Sequence, residues 1–173
     1  MKTVLVTGAD GFIGKNLCVA LDQDEGIKVL RYGRQRRPEE LQAYLGEAEF
    51  VFHLAGVNRP QTEAEHDSGN RVLTEELLQA MVQSGKKIPL AITSSTQAEL
   101  ENAYGKSKKA AEEAVFRWSR QSGNPAYVYR LPGVFGKWSK PDYNSVVATF
   151  CHNVANGLPI QINDPAVELT LVY

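Results

Sequence analysis

Short apolar runs alternate along this chain with longer stretches in which apolar residues recur every three or four positions. The short runs predict strands near residues 2–7, 27–32, 49–54, 88–94, 126–131 and 167–172. The longer stretches predict helices near residues 12–22, 38–45, 62–84, 104–121 and 143–156. Strands that are separated by helices indicate right-handed βαβ units. The pattern therefore predicts an α/β fold, with a doubly wound, mostly parallel sheet in three αβα layers.

Length and composition are typical of one globular domain, with 173 residues, 43% apolar and 23% charged. A net charge of −1 gives no bulk field that would attract nucleic acid or an anionic membrane. No apolar run approaches the ~20 residues of a membrane span, and the N-terminus is not a signal peptide. We therefore expect a cytoplasmic protein without nucleic-acid or membrane partners. Cys18 and Cys151 are expected to be reduced, buried thiols, and no metal site is predicted.

Three glycines, Gly8, Gly11 and Gly14, follow the first predicted strand with the spacing G-x-x-G-x-x-G. The order strand, turn, helix leaves backbone N–H groups free at a helix start, and such groups bind a pyrophosphate. A purely structural turn is the alternative, but the βαβ context favours nucleotide binding. The residues predicted to bind the cofactor here are Thr7, Gly8, Gly11, Phe12, Ile13 and Gly14.

The segment after the second strand is basic. An NAD site usually carries an acid there, about 20 residues past the glycines, to bind the ribose 2′-hydroxyl. No acid occurs between Lys28 and Pro38. Guanidinium groups suit a 2′-phosphate, so we predict NADP (NADPH) as cofactor and NAD as the weaker candidate. Arg34 is the first candidate contact, with Arg31 and Arg36 behind it, and a solvated basic loop is the alternative.

The third and fourth strands end in residues that suit a ligand crevice. Small residues after the third strand let the backbone approach a dinucleotide, so Leu54, Ala55 and Gly56 join the predicted cofactor site. His53, before them, is expected to be a packed histidine rather than an acid or base. Hydroxyl groups after the fourth strand, on Ser94, Ser95 and Thr96, are able to bond a substrate carbonyl, although such residues are also common in turns.

Tyr104 and Lys108 share one face of a predicted helix. A lysine cation near a phenol favours the phenolate and lowers the pKa of the phenol. Moving that pKa from ~10 toward ~7 corresponds to about 4 kcal/mol. Such a tyrosine exchanges protons near neutral pH. The Y-x-x-x-K spacing alone is common, so its weight comes from its combination with the glycine turn and the hydroxyl cluster.

Together these segments resemble the extended, sugar-nucleotide branch of the short-chain dehydrogenase/reductase family, the NAD(P)-dependent epimerases and dehydratases. The matching segments are residues 7–14 (TGADGFIG), 53–56 (HLAG), 94–95 (SS), 104–108 (YGKSK) and 130–136 (RLPGVFG). The resemblance implies a Rossmann fold, an NAD(P) cofactor and a Ser/Thr–Tyr–Lys catalytic set. On this chain the set is Ser95, with Ser94 as the alternative, Tyr104 and Lys108. Tyr104 and Lys108 would also contact the cofactor, and Ser94 and Thr96 the substrate.

A narrower resemblance is to the bifunctional capsular-polysaccharide reductases of bacteria. It rests on residues 53–60 (HLAGVNRP), 135–146 (FGKWSKPDYNSV) and 163–171 (NDPAVELTL). It implies a reductase domain that uses NADPH to reduce a 4-keto-6-deoxy UDP-N-acetylhexosamine, followed by an epimerising cupin that has no counterpart here. We therefore expect residues 1–173 to be a single NAD(P)-binding domain that is truncated at the C-terminus. The nine-residue step from Ser95 to Tyr104, short for the broad branch, is similar to that of this subgroup.

Further predictions concern the substrate, the assembly and competing functions. Arg130, Lys137 and Asn144 are candidate contacts to the UDP-sugar, with structural ion pairing as the alternative for Arg130. A homodimer is expected through the helix near 104–121, where Ala110, Ala111 and Ala114 permit close packing, unless that face is core. The competing functions are an epimerase or dehydratase of another nucleotide sugar, a non-catalytic dinucleotide sensor, or a cut chain that binds cofactor without turnover.

Overall fold

The computed structural model describes residues 1–35, 37–60, 62 and 64–173. They form two compact units, Met1–Arg130 and Leu131–Tyr173. The expectation of a single domain over 1–173 stays a prediction. Arg36, one of the candidate 2′-phosphate contacts, lies outside the described residues.

Five strands form the main sheet: β1 Lys2–Thr7, β2 Ile27–Tyr32, β3 Phe50–His53, β4 Leu90–Ser95 and β5 Ala126–Leu131. Their order is β2-β1-β3-β4-β5, and the pairs β1·β2, β1·β3 and β3·β4 are all parallel. From β1 the chain adds β2 on one side of the sheet and then β3, β4 and β5 on the other. The carboxyl ends of β1 and β3 therefore lie at a topological switch point. Ligands bind at such a point in open α/β sheets. The predicted fold class is confirmed.

Helices cover both faces of this sheet. They are α1 Phe12–Leu21, α2 Pro38–Glu47, α3 Ala64–Asp67, α4 Leu73–Gln83 and α5 Ala103–Ser122, with a π-helical turn at Ser68–Val72 and a 3₁₀ turn at Thr96–Glu99. Side chains alternate across β1, because successive residues of a strand point to opposite faces. Val4 and Val6 pack with Cys18 of α1, whereas Leu5 packs with residues of α2, α4 and α5. The three predicted layers follow from this alternation.

The helix predicted over residues 62–84 is present from Ala64 to Gln83. It contains a π-helical turn, Ser68–Val72, between α3 and α4. The turn positions Asn70, which is 3% exposed, so that its side-chain amide bonds the backbone of Val57. Single π-helical turns are frequent at functional sites. The π-helical turn therefore connects α3 and α4 to the loop that follows β3.

The second unit contains β6 Gly133–Val134, α6 Val146–Ala155 and β7 Leu171–Val172. The predicted strand over 167–172 shrinks to β7, which pairs in parallel with β6 and not with the five-stranded sheet. Both cysteines are free, but only Cys18 is buried; the expectation of a buried thiol is wrong for Cys151, which is exposed on α6. Within the described residues, no helix combines the length and apolarity needed to cross a membrane.

Candidate active site

The glycine loop between β1 and α1 is packed too tightly for side chains at two of its positions. Gly8 has a φ of +68°, and a Cβ on it would lie 2.5 Å from the backbone nitrogen of Ala55. A Cβ on Gly14 would lie 2.1 Å from the carbonyl oxygen of Gly8. The loop is thus wedged between α1 and the end of β3. Any residue other than glycine at these two positions would force the segments apart.

The start of α1 has the properties of an anion site. Gly11 is the N-cap, and the first turn, from Phe12 through Gly14, contains no acidic residue. The first N–H groups of a helix have no partner within the helix, and the helix dipole makes this end positive. Gly11 is exposed, so a ligand can reach these groups. The residues present therefore fit the pyrophosphate of a dinucleotide.

The basic segment after β2 is only partly available to a ligand. Arg31 forms an ion pair with Asp22, and both side chains are about half exposed. Arg34 is exposed in the turn that follows the strand. Contact of either arginine with a 2′-phosphate stays a prediction.

His53 is packed, as predicted, and it connects the glycine loop to α4. Its Nδ1 lies 2.7 Å from Thr7 Oγ1, and its Nε2 lies 3.1 Å from Thr74 Oγ1. Thr74 donates its hydroxyl proton to the Asn70 carbonyl, so His53 Nε2 must donate to Thr74, and Nδ1 accepts from Thr7. Burial, and then the charge of Lys108, lower the pKa of His53 to about 3. The ring is neutral at physiological pH and is not an acid–base group.

The two serines at the end of β4 face different partners. Ser95 caps the 3₁₀ turn by accepting from the Gln97 amide at 3.1 Å, and its hydroxyl also interacts with Tyr104. Ser94 is buried, and its hydroxyl lies near Glu112 without a hydrogen bond to any described residue. This arrangement favours Ser95 as the predicted catalytic serine. Thr96, the candidate substrate contact, is exposed at the start of the 3₁₀ turn.

Tyr104 lies in the first turn of α5 beside Ser95, because Asn102 caps the helix there. The Asn102 Oδ1 accepts from the Gly105 amide at 2.7 Å. The structure does not support the predicted lowering of the Tyr104 pKa. Burial raises that pKa, and the Ser95 hydroxyl opposes the rise only in part. The physical reason lies in Lys108, whose ammonium group is directed elsewhere.

Lys108 donates from Nζ to the Thr93 carbonyl at 2.7 Å. Its Nζ also lies 3.9 Å from the position that a Cβ on Gly56 would take, so it faces the loop after β3. Burial lowers the pKa of Lys108 to about 8, and the carboxylate of Glu112 partly counteracts this. Lys108 therefore lies at the carboxyl edge of β3 and β4 beside Gly56, while Tyr104 lies next to Ser95, the last residue of β4.

Arg130 is occupied by two carboxylates. Its Nη2 lies 2.7 Å from Glu112 Oε2, and its Nη1 lies 2.8 Å from Glu99 Oε1. Glu112 is 3% exposed, so this pair neutralises a buried charge one helical turn beyond Lys108. The structural alternative for Arg130 thus has direct support, and its contact with substrate stays a prediction.

A cleft of about 380 Å³ opens beside Tyr104, and the sequence patterns did not point to most of its lining. Polar groups dominate that lining, contributed by Asn58, Arg59, His66, Gln97 and Asn102. The His66 ring lies 5.5 Å from the Tyr104 ring, centroid to centroid. A run of polar residues before a helix gives no signal of this kind, since only the folded chain brings Asn58, Arg59 and His66 next to α5.

The remaining predicted residues lie elsewhere. Lys137 and Asn144 belong to the second unit, where Lys137 Nζ sits 4.7 Å from the centre of the Trp138 ring. Ala111 and Ala114 of α5 are buried in the core of the first unit, which supports the core alternative for that face. The homodimer and the cytoplasmic location stay predictions.

The fold and this edge of the sheet define a nucleotide-dependent enzyme class. The chain belongs to the NAD dependent epimerase/dehydratase family, which matches residues 4–168. Membership implies NAD(P) binding, in agreement with the glycine loop. The resemblance to the extended short-chain dehydrogenases/reductases is thereby confirmed.

Two relatives agree with the narrower resemblance. UDP-2-acetamido-2,6-beta-L-arabino-hexul-4-ose reductase of Pseudomonas aeruginosa is 51% identical over 170 residues, which cover 98% of this chain and 46% of the relative. The crystal structure of the capsular polysaccharide assembling protein CapF from Staphylococcus aureus matches with a TM-score of 0.87 and 43% identity, over 98% of this chain and 46% of that one. The chain thus spans about half the length of both relatives.

A more distant structure supports the fold alone. UDP-glucuronic acid 4-epimerase from Bacillus cereus, solved with UDP-glucuronic acid and NAD, matches with a TM-score of 0.79 at 19% identity. The match covers 91% of this chain and 64% of the epimerase.

Proposed function

We propose that this chain is the nicotinamide-dependent reductase part of an enzyme that reduces a 4-keto-6-deoxy UDP-N-acetylhexosamine for the synthesis of a capsular or other surface polysaccharide. The observation that carries the proposal is the contact of Tyr104 with Ser95 at the end of β4, together with the position of Lys108 beside Gly56 after β3. The 51% identical relative is named as a reductase of such a keto-sugar, which supports the choice of substrate.

The three side chains have complementary parts in carbonyl reduction. When bound, a nicotinamide cofactor supplies the hydride to the carbonyl carbon. Tyr104 donates its phenolic proton to the carbonyl oxygen, and Ser95 donates a hydrogen bond to the same oxygen as charge develops there. A raised pKa keeps the Tyr104 phenol protonated near neutral pH, which is the state that a proton donor requires.

Lys108 contributes a positive charge at the carboxyl edge of β3 and β4. With its pKa near 8 it is mostly protonated at neutral pH, and it lies between the Thr93 carbonyl and the loop at Gly56. Its ammonium group is directed away from Tyr104 and does not lower the pKa of that phenol. Its proposed part is to hold the hydroxyls of the nicotinamide ribose.

For the cofactor we propose NADPH in preference to NADH. The support is the lack of acids between Lys28 and Pro38 and the exposed guanidinium of Arg34 just after β2. For the substrate, we propose that the cleft beside Tyr104 holds the keto-sugar. Asn58, Gln97 and Asn102 offer amide donors and acceptors there, which suit sugar hydroxyls and an acetamido group.

The test combines a binding titration with a turnover assay on wild-type protein and Tyr104→Phe. NADPH affinity is followed by fluorescence, and NADPH consumption by absorbance in the presence of the UDP-keto-sugar. We expect Tyr104→Phe to lower turnover at least ~100-fold, the usual range for loss of a proton donor, while NADPH affinity changes less than about twofold. Tyr127→Phe, which removes a hydroxyl from an exposed tyrosine on β5, is the matched control.

Each outcome has a distinct meaning. Loss of NADPH affinity with retained turnover would refute the role of Tyr104. Conversion of sugar without net NADPH consumption would support the epimerase alternative, since an epimerase regenerates its cofactor. Cofactor binding without turnover by the wild-type chain would show that these residues alone do not complete a working site.

A further inference from the structure

A carboxylate covers the end of β2, although β2 and its following loop contain none. Asp10 belongs to the glycine loop, and its Oδ2 lies 1.7 Å from the position that a Cβ on Gly33 would take. Gly33 directly follows β2, whose last residue, Tyr32, accepts a 2.9 Å hydrogen bond from the Gly8 amide. The loop is therefore fixed against the strand end, with the Asp10 carboxylate lying over it.

We propose that Asp10 is the ribose-binding carboxylate of the dinucleotide site and that it limits the preference for a 2′-phosphate. In dinucleotide-binding folds an acid at the end of β2 accepts a hydrogen bond from the ribose 2′-hydroxyl. Here the acid reaches the same place from the glycine loop. Asp10 is exposed, so its oxygens are accessible to a ligand.

Charges around this point act in opposite directions on a 2′-phosphate. The exposed Arg34 attracts it, while Arg31 is already paired with Asp22. The Asp10 carboxylate repels it, since two negative charges close to each other raise the energy of the bound state. The chain therefore accepts both NADPH and NADH, with NADPH only modestly favoured. This inference rests on the proposed function, and specifically on the dinucleotide site.

The test uses two small probes that differ only by the 2′-phosphate, adenosine 2′,5′-bisphosphate and 5′-AMP. Their affinities for wild-type protein and Asp10→Asn are measured by calorimetry. In Asp10→Asn we expect the bisphosphate to bind about fivefold to tenfold more tightly and 5′-AMP to bind about twofold to fivefold more weakly. A ratio of the two affinities that changes by less than about twofold would overturn the proposal.

Gly33→Ala provides an independent variant that keeps the Asp10 carboxylate but displaces it from the end of β2. The three atoms nearest to the new Cβ all belong to the Asp10 side chain, which is flexible enough to swing away. We expect the affinity ratio to move in the same direction as in Asp10→Asn. In an Asp10→Ala background, the Gly33→Ala change is expected to leave the ratio unaltered, because no carboxylate remains to be displaced.

The matched control is Glu25→Gln, which makes the same change in net charge before the opposite end of β2. We expect it to leave the ratio unchanged; an equal effect from Glu25→Gln would assign the result to bulk charge and refute the role of Asp10. The proposals fail separately. If wild-type protein binds neither probe nor NADPH, the dinucleotide site itself is wrong. If wild-type protein binds the two probes with the same ratio of affinities as Asp10→Asn, only the inference about Asp10 is wrong.

Discussion

Replacing His53 by glutamine tests the buried polar contact between β3, the glycine loop and α4. The His53 ring is 4% exposed and bridges Thr7 and Thr74. Burial and the Lys108 charge lower the pKa of His53 to about 3, whereas a histidine in an unfolded chain titrates near 6.5. Between these two values the unfolded chain binds a proton that the folded chain does not.

The sign and size of the effect follow from this difference. Acidification stabilises the state that binds more protons, so the His53 contribution is present above about pH 6.5 and is lost as the pH falls toward 3. At about 1.36 kcal/mol per pH unit, the loss in free energy of unfolding at pH 5.0 is ~2 kcal/mol. This figure depends on the unfolded pKa alone for as long as the folded pKa stays well below 5.

The assay is urea denaturation of wild-type protein and His53→Gln at pH 7.5 and pH 5.0. Glutamine offers an acceptor and a donor to the two threonine hydroxyls but does not titrate. We expect the free energy of unfolding to fall by ~2 kcal/mol more in wild-type protein than in the variant. His66 and His152 are present in both proteins, so their contributions cancel. An equal fall in the two proteins would refute the buried neutral state of His53.

Two further predictions concern the glycine loop and the charge of Lys108. Gly14→Ala places a Cβ 2.1 Å from the Gly8 carbonyl oxygen. We therefore expect the free energy of unfolding, measured by denaturation, to fall by about 1–3 kcal/mol and NADPH binding, measured by titration, to be lost. The control is Gly46→Ala, where a Cβ has nothing within 4 Å, and we expect it to keep both properties. Glu112→Gln removes the carboxylate that raises the Lys108 pKa, so we expect the alkaline limit of kcat/KM to move to lower pH; an unchanged limit would contradict the coupling.

The strands of the main sheet were predictable because their signal is local. The bounds predicted for β1, β2 and β5 agree with the structure, since a run of apolar residues between turns is enough to identify a strand. The segment 167–172 has the same kind of signal, but only Leu171–Val172 pairs, and its partner is β6. Which strand pairs with which depends on contacts between residues far apart in sequence, and an apolar pattern does not contain that information.

The candidate site shows the same division between local and distant information. Helical spacing correctly places Tyr104 and Lys108 one turn apart. It could not give the direction of the Tyr104 pKa shift, because that depends on how deeply the phenol is buried and on where the lysine points. The Thr93 carbonyl, which accepts from Lys108 Nζ, comes from a strand 15 residues earlier. Asn70 was missed for a related reason, since its contacts require the π-helical turn.

A buried chain of hydrogen bonds joins the glycine loop to the start of α5. Its members, in order, are Thr7, His53, Thr74, Asn70, Ser107 and the carbonyl of Tyr104. The proton donated by Thr74 fixes the orientation of His53 and Thr7, so the first half of the chain has a single arrangement. Displacing the loop relative to α5 would leave a buried polar group unpaired, which costs about 1–3 kcal/mol. The distance between the dinucleotide-binding loop and the proposed proton donor is thus set by the fold itself, and a proton donor that is already in place needs no reorganisation when charge develops on the substrate.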